Sequence, residues 1–348
     1  MSGTAEFDVA IVGAGIAGLC AANELARGGR SVVVLDKSRG IGGRMATRRL
    51  GEAVCDHGAQ FFTVRGRAFG GIVRQAEEAG TVAVWCAGFG RAADHASAVA
   101  PAADGHPRWR GIRGMTDLPK QLASIAVDLG VRIRTTAPVT AVGSASGGAQ
   151  LAIDGGPPVT ARAALLTAPV PQALTLLAAG AAPVAANAHR TLAAIDYDPC
   201  FALMLVLDRP GRVPPPGGIQ FDTGPLSWLA DNLQKGISPL PALTVHASGS
   251  FSRAHFDDPP AEVAATLLEM VRPWLGDATV VEHSLHRWKF AQPTTVVAEP
   301  MVAVSVRPPI VCCGDAFAGP KVEGAASSGL AAARWLDRVL SDSLPPEE

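Results

Sequence analysis

Three glycines, Gly13, Gly15 and Gly18, separate a short apolar run from an alanine- and leucine-rich stretch. Asp36 ends the next apolar run. In this strand, turn, helix and strand order, glycine permits a tight turn, close approach of a pyrophosphate to the backbone and close packing of the helix. The helix start offers free N–H groups and a positive dipole end to phosphates, and Asp36 can accept hydrogen bonds from a ribose. The pattern predicts a dinucleotide-binding βαβ unit.

A second glycine pair, Gly42 and Gly43, is followed directly by Arg44. Two glycines allow another close backbone approach, and an arginine supplies a charge-assisted contact to a pyrophosphate. A plain nicotinamide dehydrogenase does not need this second cluster, so its presence favours FAD over NAD. The alternative interpretation is an ordinary loop with a solvated arginine.

Another group of small residues lies near the C-terminus, where Gly314 and Asp315 follow an apolar run. An aspartate there can hold ribityl or pyrophosphate oxygens, directly or through water. Val322, Gly324 and Ala325 open the last expected helix. Small residues let a flavin ring lie against a helix start, whose dipole stabilises negative charge on the reduced ring. We expect the two ends of the chain to complete one FAD site.

The length of 348 residues predicts two domains, because one core seldom organises so long a chain. The expected FAD-binding domain is discontinuous and takes residues 1–65, 130–170 and 300–345, and the expected substrate domain takes 66–129 and 171–299. We expect helices over 66–80, 117–129, 259–275 and 322–340, a hairpin over 139–142 and 150–153, sheet strands over 200–207 and 242–250, and a loop-rich segment over 85–110.

Composition excludes several classes of partner. Lys and Arg total 30 against 31 for Asp and Glu, so no basic stripe is expected and nucleic acid is not an expected partner. The uncharged stretch 163–186 contains three prolines and fits a strand turning into a helix better than a membrane span. Glu6 and Asp8 precede the first apolar run, so we expect neither a signal peptide nor a membrane partner.

The six cysteines indicate a reducing compartment. None forms a C-x-x-C pair and no histidine cluster accompanies them, so no metal site is expected. Cys312 and Cys313 lie in an apolar run, where buried small residues are the simplest interpretation. Scattered thiols are typical of a cytoplasmic protein.

The sequence resembles the renalases, a group within the amine-oxidase-like flavoproteins. The motifs that carry the resemblance are Val12–Gly18, Asp36-Lys37, Gly42–Met45, Asp56–Thr63, Arg287–Lys289 with Gln292, and Cys313–Phe317 with Val322–Gly324. The likeness spans essentially the whole chain and is closer to bacterial than to animal renalases. It implies an α/β protein with a Rossmann-type FAD-binding domain and a second α+β substrate domain with a mixed sheet, as in amine oxidases and p-hydroxybenzoate hydroxylase.

The resemblance also implies an activity. Such enzymes take a hydride from 1,2- or 1,6-dihydro isomers of NAD(P), release NAD(P)+ and reduce O2 to hydrogen peroxide. No cysteine follows Cys313, so FAD is expected to be non-covalent. The motifs and the resemblance together indicate these FAD-binding residues: Gly13, Ala14, Gly15, Ala17, Gly18, Asp36, Lys37, Gly42, Gly43, Arg44, Met45, Gln60, Phe61, Val139, Gly314, Asp315, Val322, Gly324 and Ala325.

The expected catalytic pocket contains His246, Trp288 and Trp228. Hydride transfer needs flat stacking surfaces and hydrogen bonds to a carboxamide more than acid–base groups. The alternative interpretation of Trp288 and of His246 is an ordinary core residue. Oligomeric state, the preferred isomer and the choice between NAD and NADP stay open.

Three rival functions also stay open. An amine oxidase often flanks its substrate with two tyrosines, and this chain has one, Tyr197, although Lys289 could serve as the lysine near the flavin. The others are an NADPH-dependent hydroxylase and a non-catalytic flavin-binding regulatory protein.

Overall fold

The computed structural model describes residues 5–317 and 319–342, without the side chains of 102 and 103. The chain divides into two compact units, each built from separate chain segments. Unit 1 comprises Met1–Gly43, Pro119–Asp196 and Pro293–Glu348, and unit 2 comprises Arg44–Leu118 and Tyr197–Gln292. A discontinuous division was expected, but with other boundaries.

The secondary structure is mixed throughout. The strands are β1 (Phe7–Val12), β2 (Val32–Leu35), β3 (Thr47–Leu50), β4 (Ala53–Asp56), β5 (Val82–Ala92), β6 (Ala100–Gly111), β7 (Arg132–Arg134), β8 (Val139–Ala145), β9 (Gly148–Ile153), β10 (Val159–Leu166), β11 (Tyr197–Leu207), β12 (Gly218–Phe221), β13 (Leu226–Asp231), β14 (Ala242–Ala247), β15 (Val280–Pro293), β16 (Val302–Val306) and β17 (Pro309–Cys312). The helices are α1 (Ile16–Arg27), α2 (Arg67–Glu78), α3 (Asp117–Asp128), α4 (Val170–Ala179), α5 (Ala186–Ala193), α6 (Gly249–Ala254), α7 (Pro260–Leu275) and α8 (Lys321–Asp342).

Unit 1 is built on an eight-stranded sheet. Its main path runs β16-β17-β10-β1-β2-β7, and the β8–β9 hairpin joins at β10. The neighbours of β1 on both sides are parallel to it, as are β10 to β17 and β2 to β7. Because the carboxyl ends of parallel strands meet at one edge, the residues that follow β1, β2, β10 and β17 are brought together there.

Unit 2 is built on a seven-stranded mixed sheet in the order β15-β11-β14-β13-β12-β5-β6. Alternate residues of its central strands face opposite sides. In β11, Leu203 and Leu205 pack with Leu267 of α7, whereas Met204 and Val206 pack with the β3–β4 hairpin. The helix therefore covers one face of the sheet and the hairpin contributes to the other.

The expectation of a loop-rich segment over 85–110 is wrong. The strands β5 and β6 form an antiparallel pair there, with irregular register around Cys86. Gly88 and Gly90 weaken the local strand signal, but pairing of β5 with β12 on its other side supplies the missing support.

The uncharged stretch 163–186 contains the end of β10 and all of α4, as expected. Within the ranges that the structure describes, every helix is too short or too polar to cross a bilayer.

Candidate active site

The first glycine loop in unit 1 is joined directly to Asp36. Ala14 N–H donates to Asp36 Oδ2 at 2.7 Å, and Ser38 N–H donates to Oδ1 at 2.8 Å. Asp36 is 9% exposed at the end of β2. Each carboxylate oxygen keeps further acceptor capacity, so the carboxylate is held in place and can still receive hydroxyl donors.

Two glycines of this loop have different surroundings. A Cβ on Gly18 would overlap the carbonyl of Gly13, so only glycine lets α1 pack this close to the turn. A Cβ on Gly15 would meet nothing within 4 Å. Gly15 is also the N-cap of α1 and has no side chain to accept a hydrogen bond from the helix N–H groups. Open space beside a helix start fits the pyrophosphate of a dinucleotide.

The second glycine loop lies against the first. Gly42 N–H donates to the Ala14 carbonyl at 2.9 Å, and a Cβ on Gly43 would lie 3.4 Å from Gly15 Cα. Backbone without side chains therefore lines both loops where they meet. The Lys37 ammonium lies 3.5 Å from Gln172 Oε1 and is exposed.

The C-terminal segment completes the same edge of the unit 1 sheet. Cys313 N–H donates to the Leu166 carbonyl at 3.0 Å, which ties the end of β17 to the end of β10. Gly314 N–H then donates to Ser328 Oγ of α8 at 2.9 Å. A Cβ on Gly329 would overlap the Ala17 carbonyl, so α8 packs directly on α1.

The other expected cofactor residues of this segment have individual surroundings. Val322 and Ala325 are buried in α8, and Asp315 is partly buried. Gly324 packs against the backbone of Gly319, while Val139 begins the β8–β9 hairpin. Apart from Val139, these residues come from the segment that follows β17.

In unit 2, the structure brings Trp228 and His246 together. They are paired across β13 and β14. Leu229 and Val245, their neighbours along the chain, belong to the core under α7, so the tryptophan and the histidine occupy the opposite face. Gln60 Nε2 lies 3.4 Å from His246 Nε2 on that face.

Gln60 is held in one orientation. Its Nε2 donates to the carbonyls of Asp56 at 2.6 Å and Gly58 at 3.0 Å, and only the nitrogen can donate to them. Its Oε1 is therefore the free end, and this buried atom has no hydrogen-bond partner among the described residues. The buried Nε1 of Trp228 likewise lacks one within that part of the chain.

Aromatic rings surround the Trp228 side chain. The Trp228 ring centroid lies 4.7 Å from Phe89 and 5.6 Å from Phe61, and Trp85 closes the group at 6.4 Å. The Arg108 guanidinium lies 5.8 Å from the Phe61 ring centroid and is paired with Asp104 at 2.6 Å. The arrangement places flat apolar surfaces beside the Trp228 Nε1 donor, on the sheet face where Gln60 approaches His246.

Trp288, the third residue of the expected pocket, contacts His57. Its Nε1 donates to the His57 carbonyl at 2.8 Å, and the two rings stack with centroids 5.4 Å apart. Burial, and then the neighbouring His286, lowers the pKa of His57 to about 3. Burial, together with the charge of Lys235, lowers the pKa of His246 to about 4. Both imidazoles are neutral at neutral pH.

The remaining expected residues of unit 2 have separate surroundings. The Arg44 guanidinium lies 3.2 Å from the Ala291 carbonyl and 5.8 Å from the ring centroid of the buried Tyr197. Met45 is buried. Lys289 is exposed on β15.

A buried ion pair was missed from the sequence. Lys235 Nζ lies 2.6 Å from Asp56 Oδ2, and both side chains are fully buried. His57 was also not selected, although it lies in the Asp56–Thr63 motif. Sequence patterns could not predict this ion pair, because Lys235 and Asp56 are 179 residues apart.

Comparison with known proteins agrees with this architecture. A family described as NAD(P)-binding Rossmann-like domain matches residues 11–75, and one described as flavin containing amine oxidoreductase matches 93–336. Similar solved structures include a candidate protoporphyrinogen oxidase from Exiguobacterium sp. 255-15, with 14% identity, TM-score 0.75 and coverage of 97% of this chain and 100% of that one. An oxidoreductase from Methanosarcina mazei has 14% identity, TM-score 0.72 and coverage of 93% and 99%.

A third similar structure is a putrescine oxidase bound to putrescine, with 16% identity, TM-score 0.70 and coverage of 98% of this chain and 99% of that one. These identities support the shared fold, and the family match spans most of the chain. The chain belongs to the flavin-containing amine oxidoreductase family and is an FAD-dependent oxidoreductase with a Rossmann-like dinucleotide-binding domain.

Proposed function

We propose that this protein oxidises 1,2- or 1,6-dihydro isomers of NAD(P) to NAD(P)+, as renalases do. The proposal depends on two buried atoms of unit 2 that lack a hydrogen-bond partner among the described residues, the Trp228 Nε1 donor and the Gln60 Oε1 acceptor. A nicotinamide carboxamide offers the complementary pair, a carbonyl oxygen and an N–H. Buried polar groups in folded proteins normally have partners, so a ligand of this chemistry would satisfy both atoms.

Charge supports a dinucleotide over an amine. Asp56, whose backbone carbonyl accepts from Gln60, is paired with Lys235, and Asp104 is paired with Arg108. A protonated amine would enter surroundings in which these acids are already paired with cations. A protonated amine would therefore lack an unpaired carboxylate to balance its charge. A dihydronicotinamide ring is neutral and needs no such partner, and the phosphates of its dinucleotide are negative.

The reaction balances without a protein acid or base. The substrate loses one hydride and becomes aromatic NAD(P)+. When bound, FAD would supply the hydride acceptor, and return of the two electrons to O2, with one further proton from solvent, would give hydrogen peroxide. The protein's part is to orient the ring and exclude water. Neutral His57 and His246 are consistent with that role because neither would repel the cationic nicotinamide product.

In unit 1, the residues that would hold FAD are those around the two glycine loops and the end of β17. The open space at Gly15, the oriented carboxylate of Asp36 and the Gly42–Gly43 backbone fit its pyrophosphate and ribose. For Arg44, Gln60 and Phe61 in unit 2, cofactor binding stays a prediction from the sequence.

An anaerobic donor screen tests the proposal. The FAD-loaded protein is mixed without oxygen with three donors: borohydride-reduced NAD, which contains the 1,2- and 1,6-dihydro isomers, ordinary NADPH, and putrescine. We expect rapid loss of flavin absorbance with the first alone, then recovery of colour and formation of hydrogen peroxide when air is admitted.

The other outcomes point elsewhere. Rapid bleaching by putrescine alone would make the protein an amine oxidase, a function that its family also accommodates. Bleaching by NADPH would favour a hydroxylase. Bleaching by none of the three would contradict the proposed activity and favour a non-catalytic flavin protein.

A further inference from the structure

A buried lysine holds the segment that carries Gln60. Lys235 Nζ donates to Asp56 Oδ2 and to the Gln60 backbone carbonyl, each at 2.6 Å. It also lies 5.0 Å from the ring centroid of Trp85. One ammonium group therefore contacts both ends of the 56–60 segment and the aromatic group beside it.

The acid partner is itself fixed from two other directions. Asp56 Oδ1 accepts from Thr47 Oγ1 at 2.5 Å and from Met115 N–H at 2.8 Å. A Cβ on Gly58 would overlap the Arg44 carbonyl, so the backbone in the middle of the segment packs directly against the backbone of Arg44. The Gln60 side chain then folds back onto this segment.

Stability alone does not explain the pair. Both side chains are fully buried, and removing two charges from water commonly costs as much as their attraction returns. Apolar residues of similar volume would serve the core equally well or better. The specific consequence of the pair is the fixed position of the Gln60 carbonyl and side chain.

We propose that Lys235 is a positioning residue, whose buried ammonium fixes the 56–60 segment and so aims Gln60 Oε1 at the ligand. The inference rests on the proposed site but not on the identity of its substrate. The charge of Lys235 also acts on His246, which is hydrogen-bonded to the His57 backbone and interacts electrostatically with the His57 imidazole. Removing the Lys235 charge should therefore raise the pKa of His246.

The test compares the parent with the double variant Asp56→Asn, Lys235→Met. Removing Lys235 alone leaves a buried, unpaired carboxylate and is expected to destabilise the protein strongly. The double variant keeps an Oδ1 acceptor for Thr47 and Met115 but removes both charges and the donor to the Gln60 carbonyl. Lys120→Met, at an exposed lysine, is the control.

Three measurements decide the role: thermal melting, NMR titration of His246 without substrate, and kcat for the donor that bleaches the flavin. We expect a melting temperature close to the parent, a His246 pKa raised from about 4, and kcat lowered roughly tenfold, since small misplacements of an orienting group have effects of this order. Lys120→Met should match the parent in all three.

Two results would overturn the inference. A double variant that melts far below the parent would show that the pair is a requirement of the fold. A stable double variant with parental kcat and parental His246 titration would show that the segment keeps its position without Lys235. Because the titration needs no substrate, a wrong substrate assignment would fail the donor screen and leave this readout intact.

Discussion

At the scale of single residues, the proposed site depends on polar atoms that are buried but not satisfied. Trp228 Nε1 and Gln60 Oε1 are two such atoms, and both neighbour a histidine whose neutral form is favoured by burial. An unpaired buried polar atom destabilises a folded protein unless a ligand completes it. These atoms therefore predict binding more strongly than the aromatic rings around them, which would pack equally well in an ordinary core.

Replacing Trp228 by Phe tests the donor. The variant keeps an aromatic surface but loses the N–H, so we expect kcat/KM for the bleaching donor to fall about fivefold to tenfold, the worth of one hydrogen bond of about 1 kcal/mol. Trp274→Phe is a matched control, because Trp274 Nε1 is also buried without a described partner but packs near Phe221. Equal losses of activity in the two variants would contradict the role of Trp228.

The depressed histidine pKa values predict how stability depends on pH. His57 and His246 titrate near 3 and 4 in the folded protein but near 6.5 when unfolded. Below pH 6.5 the unfolded state therefore binds more protons. The stability these groups contribute is fully present above pH 6.5 and is lost as pH falls toward 4 and then 3.

Replacing His246 by Gln should flatten this dependence. We expect the slope of unfolding free energy between pH 6 and 4.5 to decrease by about 1.4 kcal/mol per pH unit, one proton's worth. Urea unfolding at several pH values measures it. His189→Gln, at an exposed histidine of α5, controls for removal of a histidine as such. An unchanged slope in the His246 variant would show that its imidazole is not held neutral.

At the scale of elements, the local sequence pattern was sufficient to predict strands that are continuous and apolar. The segment from β1 to β2 could be predicted because a buried parallel strand, a glycine turn and a helix leave distinct signatures. The β5–β6 pair could not, because glycines and polar residues hide strands that are supported by neighbours distant in sequence.

The residues of the candidate site also divide into those that the sequence could predict and those that it could not. The glycine loops and Asp36 were predicted from spacing, and the structure joins them. Trp228 and His246 were predicted through residue type and resemblance, and the sheet register pairs them. Lys235 was not predicted, since a lone lysine among loop residues carries no periodic signal.

The contact between α1 and α8 gives a prediction at this scale. A Cβ on Gly329 would overlap the Ala17 backbone, so Gly329→Ala must push the helices apart and should cost about 1 to 3 kcal/mol of stability. Because Ala17 is in the first turn of α1, FAD binding should weaken as well. Urea unfolding and an FAD fluorescence titration measure the two effects.

Gly71→Ala in α2 provides the matched comparison. Its Cβ would meet nothing within 4 Å, so alanine should stabilise the helix by about 0.5 to 1 kcal/mol. If the Gly329 and Gly71 variants change stability in the same direction, the close packing of α8 on α1 is not what requires glycine at position 329.

At the scale of the whole molecule, the order of the chain matters more than any single element. The sheet of unit 1 places β1 between β2, its near neighbour in sequence, and β10, which is distant. The strand β17 then joins β10 from the last segment of the chain. Such non-local pairing is entropically costly to form and makes the sheet depend on all three segments at once. The expected FAD-binding residues of unit 1 come mainly from the first and last of these segments.

Hydrogen exchange can detect this dependence. We expect the amides of β1, β10 and β17 to exchange through one shared opening rather than strand by strand, because each pairs with another of the three. FAD binds only the folded arrangement, so at a free concentration 100 times its Kd it should raise that opening free energy by about 2.7 kcal/mol in all three strands. Mass spectrometry of peptides from each strand, with and without FAD, gives the measurement. Exchange of β17 at a lower free energy than β1, unchanged by FAD, would mean that the C-terminal segment is not part of the cofactor site.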